Sequence, residues 1–210
     1  MSNLWLTFAT CFFLVACNLP VALGDYQTIT IDSFITEQYP VKVTGPSIPA
    51  VGIVNGNGLL GGARVLEMQS NLGTISGSVS AGILGISAVG VPSGPNTYSF
   101  QQSATLIYDG GWFPLNTSGL GKVDLAQNYG WFRIGFGNND LLPLFGNFSA
   151  SFVVNSGGVN CTRYFDPCST YSEFCFITLP IADFQEQGCD MSRVGAISIT
   201  FPFFANWKYQ

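Results

Sequence analysis

The sequence predicts an all-β protein: a single antiparallel β-sandwich, jelly-roll-like, with a disulfide-stapled excursion. Three observations carry that expectation. Short segments alternate with period two, turn-forming residues separate them at near-regular spacing, and no long capped 3.6-residue pattern occurs. The 210 residues suit one domain with a sizeable core.

The chain opens on an apolar run, "LWLTFATCFFLVAC" (Leu4 to Cys17), broken by Asn18 and Pro20. It is shorter than the roughly 20 apolar residues of a membrane-spanning helix. It fits the hydrophobic centre of a signal peptide, and "Ala22-Leu23-Gly24" supplies small residues for cleavage. The expected division is residues 1–24 as signal peptide and 25–210 as a secreted β-sandwich domain starting at Asp25. The rival reading, "Leu14-Val15-Ala16-Cys17" as a lipidation site at Cys17, lacks a positive segment ahead of it. No second apolar span follows, so no membrane attachment is expected after cleavage.

The strand candidates then come in order. "YQTITIDSF" alternates Thr and Ile, and "YPVKVTG" places Val41 and Val43 on one face. "GLLGGARVLEMQ" is a glycine turn feeding a strand. A phosphate-binding loop would need a helix after its glycines, and "NLG" ends the segment too soon. Arg64, just past that turn, is expected to pair with a carboxylate. "GTISGSVSAGILGISAVG" reads as one or two twisted strands. "SATLIYDG", "YGWFRIGFG", "NFSASFVVN", "EFCFITLP" and "GAISITFPFF" complete the set, and "IADFQEQGCD" holds one helical turn. The strands opening and closing the mature chain are expected in one sandwich, side by side. Ile197 and Ile199 should face the core, and pairing should weaken at Pro202.

Cysteines and sequons indicate the compartment. Beyond the leader stand Cys161, Cys168, Cys175 and Cys189, an even number bunched in one region, which reads as two disulfides. Three pairings are open. The spacing lacks the tight pairs of a zinc site. The bridges should staple the excursion "GGVNCTRYFDPCSTYSEFC". Three sequons, at Asn116, Asn147 and Asn160, sit near turn signals and suit N-glycosylation, Asn116 best of all.

Three elements, "GLLGGARVL", "ATLIYDGG" and "ADFQEQGCDMSRVGAISITF", resemble a diffuse group of secreted, jelly-roll-like β-sandwich proteins, many of them bacterial surface or exported proteins. The group shows a Gly-Gly-x-Arg strand, a Leu-x-Tyr-Asp-Gly strand end and a terminal Val-x-x-Ile-x-Leu/Ile-x-Phe strand. The resemblance implies fold and secretion. It implies no activity and carries over no functional residue. This chain departs from the group in its disulfide excursion and in having no sorting tail.

Composition narrows the function. The net charge is −5, and the seven basic residues are scattered, so neither nucleic acid nor anionic lipid is an expected partner. There is no histidine, which removes the commonest general base and every serine–histidine or cysteine–histidine relay. No catalytic residues are assigned. Asp109, Asp140, Glu173 and Asp183 could serve carboxylate chemistry, yet each lies at a turn where such residues are ordinary. No cofactor is expected, with a structural calcium at Asp109, Asn138 and Asp140 as the one metal alternative; Asp190 offers a further oxygen ligand. Trp112, Trp131 and Tyr108 are candidates for ligand binding through aromatic stacking. Of Trp131 and Phe132, one should point outward. The expected function is that of a non-catalytic secreted extracellular glycoprotein, a matrix, coat or surface component that meets an extracellular surface, matrix or glycan. A carbohydrate-binding module using exposed aromatics is the first alternative, and a small carboxylate-dependent glycosidase or lyase the second.

Overall fold

The computed structural model describes residues 8–13, 30–94, 97–126, 130–137, 149–166 and 174–208. Strands dominate: β1 Phe8–Phe13, β2 Gln38–Thr44, β3 Ala50–Asn55, β4 Ala63–Leu72, β5 Thr74–Ser80, β6 Ile83–Val89, β7 Val91–Gly94, β8 Thr97–Tyr108, β9 Trp131–Gly137, β10 Ala150–Ser156, β11 Val159–Phe165, β12 Phe174–Pro180 and β13 Val194–Lys208. The helical content among the described residues is one 3-10 turn, Leu60–Gly62, and one short helix, α1 Ile181–Gln185. Every strand pairing is antiparallel. One sheet runs β12-β9-β1-β6-β5-β2; the other runs β11-β10-β13-β8-β4-β3, with β7 pairing β8.

The two sheets pack as a sandwich because each presents an apolar face. In β5 and β6, and in β2 from Val41 onward, burial alternates residue by residue, so Val41, Val43, Ile75, Val79, Leu84 and Ile86 face inward. Leu66, Met68, Leu106, Phe152, Val154, Ile197 and Ile199 meet them from the other sheet in one core. Phe132 of β9 reaches Phe152 of β10 with ring centroids 4.6 Å apart, and Phe184 of α1 packs edge-on against Phe132. These contacts close one end of the sandwich beneath the helix.

The expected glycine turn is a β-hairpin. β3 and β4 pair from Ala50↔Met68 to Asn55↔Ala63, and the connection carries Gly61 at φ 73°, a conformation that a side chain would strain. "GTISGSVSAGILGISAVG" is two strands, β5 and β6, turning at Ala81-Gly82. Ile197 and Ile199 are buried as expected.

Three expectations are corrected. Among the described residues β13 does not lie beside the "YQTITIDSF" segment: its neighbours are β10, as far as Thr200, and β8. From "YQTITIDSF", Asp32 makes an isolated bridge to Leu59, while Tyr26 to Ile29 lie outside the described residues. The excursion is shorter than expected, because Val159–Phe165 pairs along the whole of β10. Pairing does not fade at Pro202. The ladder with β10 ends at Thr200, but that with β8 continues to Lys208. A strand residue directs its N–H and C=O to one neighbour, so a missing donor is tolerated where a strand has a free side.

The predicted leader also contributes a strand. Phe8–Phe13 lies between β6 and β9, in register from Phe8↔Ala88 to Phe12↔Leu84 and from Cys11↔Gly137 to Phe13↔Gly135. No helix among the described residues is long and apolar enough to cross a membrane.

Candidate functional site

Two groups of polar residues organise one end of the sandwich, and the second presents an exposed aromatic tip. The first is internal. Arg64, at the start of β4, has no solvent exposure. Its Nη1 donates to Asp32 Oδ2 at 2.7 Å, its Nε to Gln38 Oε1 at 3.0 Å and its Nη2 to the Thr36 carbonyl at 2.8 Å. Its guanidinium also stands 5.4 Å from the Phe34 ring centroid. Asp32 in turn accepts from the Phe34 N–H at 2.6 Å and from the Tyr108 hydroxyl at 3.0 Å. A buried charge requires this degree of pairing. The expected carboxylate partner of Arg64 is thus Asp32, and the cluster fastens residues 31–38 across β4 and β8.

This placement removes Tyr108 from the ligand-binding candidates. Its ring is fully buried, and its hydroxyl is directed at Asp32 rather than at solvent. Burial, then the neighbouring Asp32 charge, pushes its pKa well above the usual tyrosine value; Arg64 opposes the shift, and the hydrogen bond to Asp32 adds to it.

The second group follows at once in sequence. Asp109 is buried, and its two oxygens accept backbone N–H groups of one loop: Gly111 at 3.2 Å and Trp112 at 3.1 Å on Oδ1, Asn116 at 2.7 Å on Oδ2. The carboxylate therefore shapes the loop instead of facing an open ion site. The loop is also pinned at its far end. Leu120 is buried and donates its N–H to the Gly195 carbonyl at 2.9 Å, at the start of β13. Gly119 packs so closely that a Cβ there would lie 1.7 Å from the Asp109 carbonyl oxygen. On this fixed base the tip is exposed: Trp112 by 61%, Phe113 by 45% and Leu115 by 37%, with a cis bond between Phe113 and Pro114.

Trp131 is also exposed, by 48%, while Phe132 is buried, so one of the pair points outward as expected. It stands on the other sheet, at the start of β9 opposite Pro180. On the same strand, Arg133 lies 3.8 Å from the ring centroid of Phe176 in β12.

The other candidate residues divide as follows. Asp183 pairs with Arg163 at 2.7 Å. Asp190 accepts from the N–H and hydroxyl of Ser192, which lowers its pKa. Asn138, Asp140, Asn147, Cys168 and Glu173 lie outside the described residues. Among the described residues no group of three or more histidine, cysteine or acidic side chains gathers as a metal site. Of the three disulfide pairings open to the four cysteines, the structure contains Cys161–Cys189, both sulfurs in the core. Cys175 sits on the β12 backbone opposite Phe136. Asn160 lies in register with Asn155 across β10 and β11, and its Oδ1 accepts from the Asn155 amide.

The Asp32 cluster was missed as a unit by sequence reasoning, although Arg64 was expected to find a carboxylate. The available signal was an acid inside the alternating segment "TITIDSF", where a charge is out of place unless a buried cation meets it. No protein-family model, curated protein or solved structure matches the chain.

Proposed function

We propose that the chain is a non-catalytic secreted extracellular glycoprotein, a matrix, coat or surface component, that makes contact through the Trp112–Leu115 loop tip. The observation that carries this reading is the pairing of an exposed aromatic tip with a base held by the Asp109 and Leu120 hydrogen bonds. Large apolar side chains held out in water on a pinned loop mark contact surfaces, because ordering has already been achieved before contact. The Cys161–Cys189 bridge supports an oxidising compartment. By elimination, Cys168 and Cys175 then form the second bridge.

The glycan-binding alternative is favoured by the same tip. Its test is direct. Secreted protein is applied to a glycan array and to extracellular matrix, alongside Trp112→Ala and Trp131→Ala variants. A contact role predicts binding that Trp112→Ala abolishes. Unchanged binding in Trp112→Ala, or no binding to either surface, contradicts it.

Secretion places one demand on the fold. Cleavage after Gly24 removes β1, and β6 and β9 then share an interface from which Phe8–Phe13 has gone. The mature domain must close that gap within the sheet, since exposed edges invite aggregation.

A further inference from the structure

We infer that Asn116 carries an N-linked glycan whose first sugar lies on the Trp112–Phe113 side chains, so that the aromatic tip holds the chain's own carbohydrate. The inference rests on the secretion proposed above and deepens the contact reading: the surface that the tip offers is the aromatic pair with the sugar laid on it.

The geometry of the loop brings the two features together. The N–H groups of Trp112 and Asn116 sit on the two oxygens of one carboxylate, that of Asp109. The chain has thus folded back on itself between them. Asn116 Oδ1 accepts from the Ser118 N–H at 3.1 Å and from the Ser118 hydroxyl at 3.0 Å. Those bonds fix the carboxamide and leave Nδ2 without a partner among the described residues. Thr117 and Ser118 are exposed, so the space around that nitrogen opens to solvent.

The two other sequons offer no comparable arrangement. Asn160 is paired with Asn155 and followed by a cysteine held in the core bridge. Asn147 lies outside the described residues.

The chemistry is a transfer from a lipid-pyrophosphate-linked oligosaccharide, the donor of the secretory pathway. Nδ2 forms a bond to C1 of the first sugar as the bond from C1 to the pyrophosphate oxygen breaks. The pyrophosphate carrier leaves, and Nδ2 loses one proton. The product amide retains its Oδ1, so the Ser118 bonds survive the modification. A pyranose presents an apolar C–H face that stacks on aromatic rings. Trp112 and Phe113 precede the modified residue by four and three positions, on a loop whose Trp112 and Asn116 N–H groups are both bound by Asp109.

The test uses full-length protein secreted from glycosylating eukaryotic cells. Glycopeptide mass spectrometry locates the modified asparagines. Tryptophan oxidation, mapped by peptide, is then timed for the intact glycoprotein, for protein trimmed to its first sugar, and for protein with its glycans removed. Trp131 serves as the internal reference. The expected result is a glycan on Asn116 and a several-fold slower oxidation of Trp112 in the first two forms than in the third, with Trp131 unchanged. Asn116→Gln should oxidise at Trp112 as fast as the deglycosylated protein. A glycan confined to Asn147 or Asn160, or equal Trp112 rates in all forms, overturns the inference and leaves secretion standing. Failure to secrete, or the absence of any glycan, overturns both.

Discussion

Replacing Asp32 by asparagine should be among the most damaging conservative changes in this chain. Asparagine keeps the shape of aspartate, removes its charge and turns one acceptor oxygen into a donor. Three donors converge on the carboxylate: the Phe34 N–H at 2.6 Å, Arg64 Nη1 at 2.7 Å and the Tyr108 hydroxyl at 3.0 Å. Neither the Asp32 nor the Arg64 side chain is exposed to solvent, so water cannot replace the lost partner. Breaking a buried ion pair by removing one member costs about 3–5 kcal/mol, because the other charge stays buried and uncompensated. For a domain of this size that corresponds to a fall in Tm of roughly 6–20 °C. Equilibrium urea unfolding of wild type, Asp32→Asn, Arg64→Met and the double variant is the assay. The double variant should lose clearly less than the sum of the singles, since it leaves no lone charge. Its residual loss reflects Gln38, the Thr36 carbonyl and Tyr108, each left short of a partner. A loss below about 1 kcal/mol for Asp32→Asn, or strict additivity in the double variant, would refute the reasoning, because such values are typical of solvent-screened pairs.

Further outcomes are expected. Tyr108 has a raised folded pKa, so its neutral form is the stable one in the native state. Stability should hold below about pH 10 and fall as the unfolded chain loses that proton at higher pH. Tyr108→Phe should be less stable at neutral pH but show a shallower alkaline decline; an unchanged slope in urea midpoints between pH 9 and 11 would contradict this. Ile199, buried in β13, should cost about 2–5 kcal/mol when replaced by alanine, and an unchanged melting temperature would remove it from the core. The Cys161–Cys189 bridge spans 28 residues, and its removal by paired alanine substitution should cost about 3–4 kcal/mol. Alkylation of unreduced secreted protein should find no free thiol at Cys161 or Cys189, nor at Cys168 or Cys175 if those two are bridged as proposed.

The sequence displayed the strands that bury one clean face and concealed those that do not. β5, β6 and the Val41–Thr44 part of β2 were legible because their inward residues recur at every second position. That one of Trp131 and Phe132 points outward followed from the same alternation, and the structure shows that it is Trp131. β3 and β11 were illegible for a shared reason: neither buries every second side chain. In β3, Ile53 is half exposed and Gly52 interrupts the pattern. In β11, only Cys161 and Phe165 are buried. Such strands are held by backbone ladders to β4 and β10, which leave no trace in hydrophobic periodicity. The Arg64 clasp was legible in part. A cation just past the turn signalled a carboxylate, but Asp32 lies 32 residues upstream, and only the folded chain brings it there. At the aromatic loop, the sequence showed Trp112 and the Asn116 sequon. It could not show that Asp109 binds both backbones, because "YDGG" also reads as an ordinary turn.

Secretion is tested most directly by the N-terminus of the exported protein. Full-length chain expressed in glycosylating eukaryotic cells should appear in the medium, and terminal sequencing with intact mass should give Asp25, within a few residues, plus the mass of at least one glycan. That result would also require β6 and β9 to do without Phe8–Phe13. A protein kept inside the cell with Met1 and Phe8–Phe13 intact, unglycosylated, and with β1 amides protected from exchange between β6 and β9 would contradict the secreted reading. It would assign the apolar run to the sheet instead.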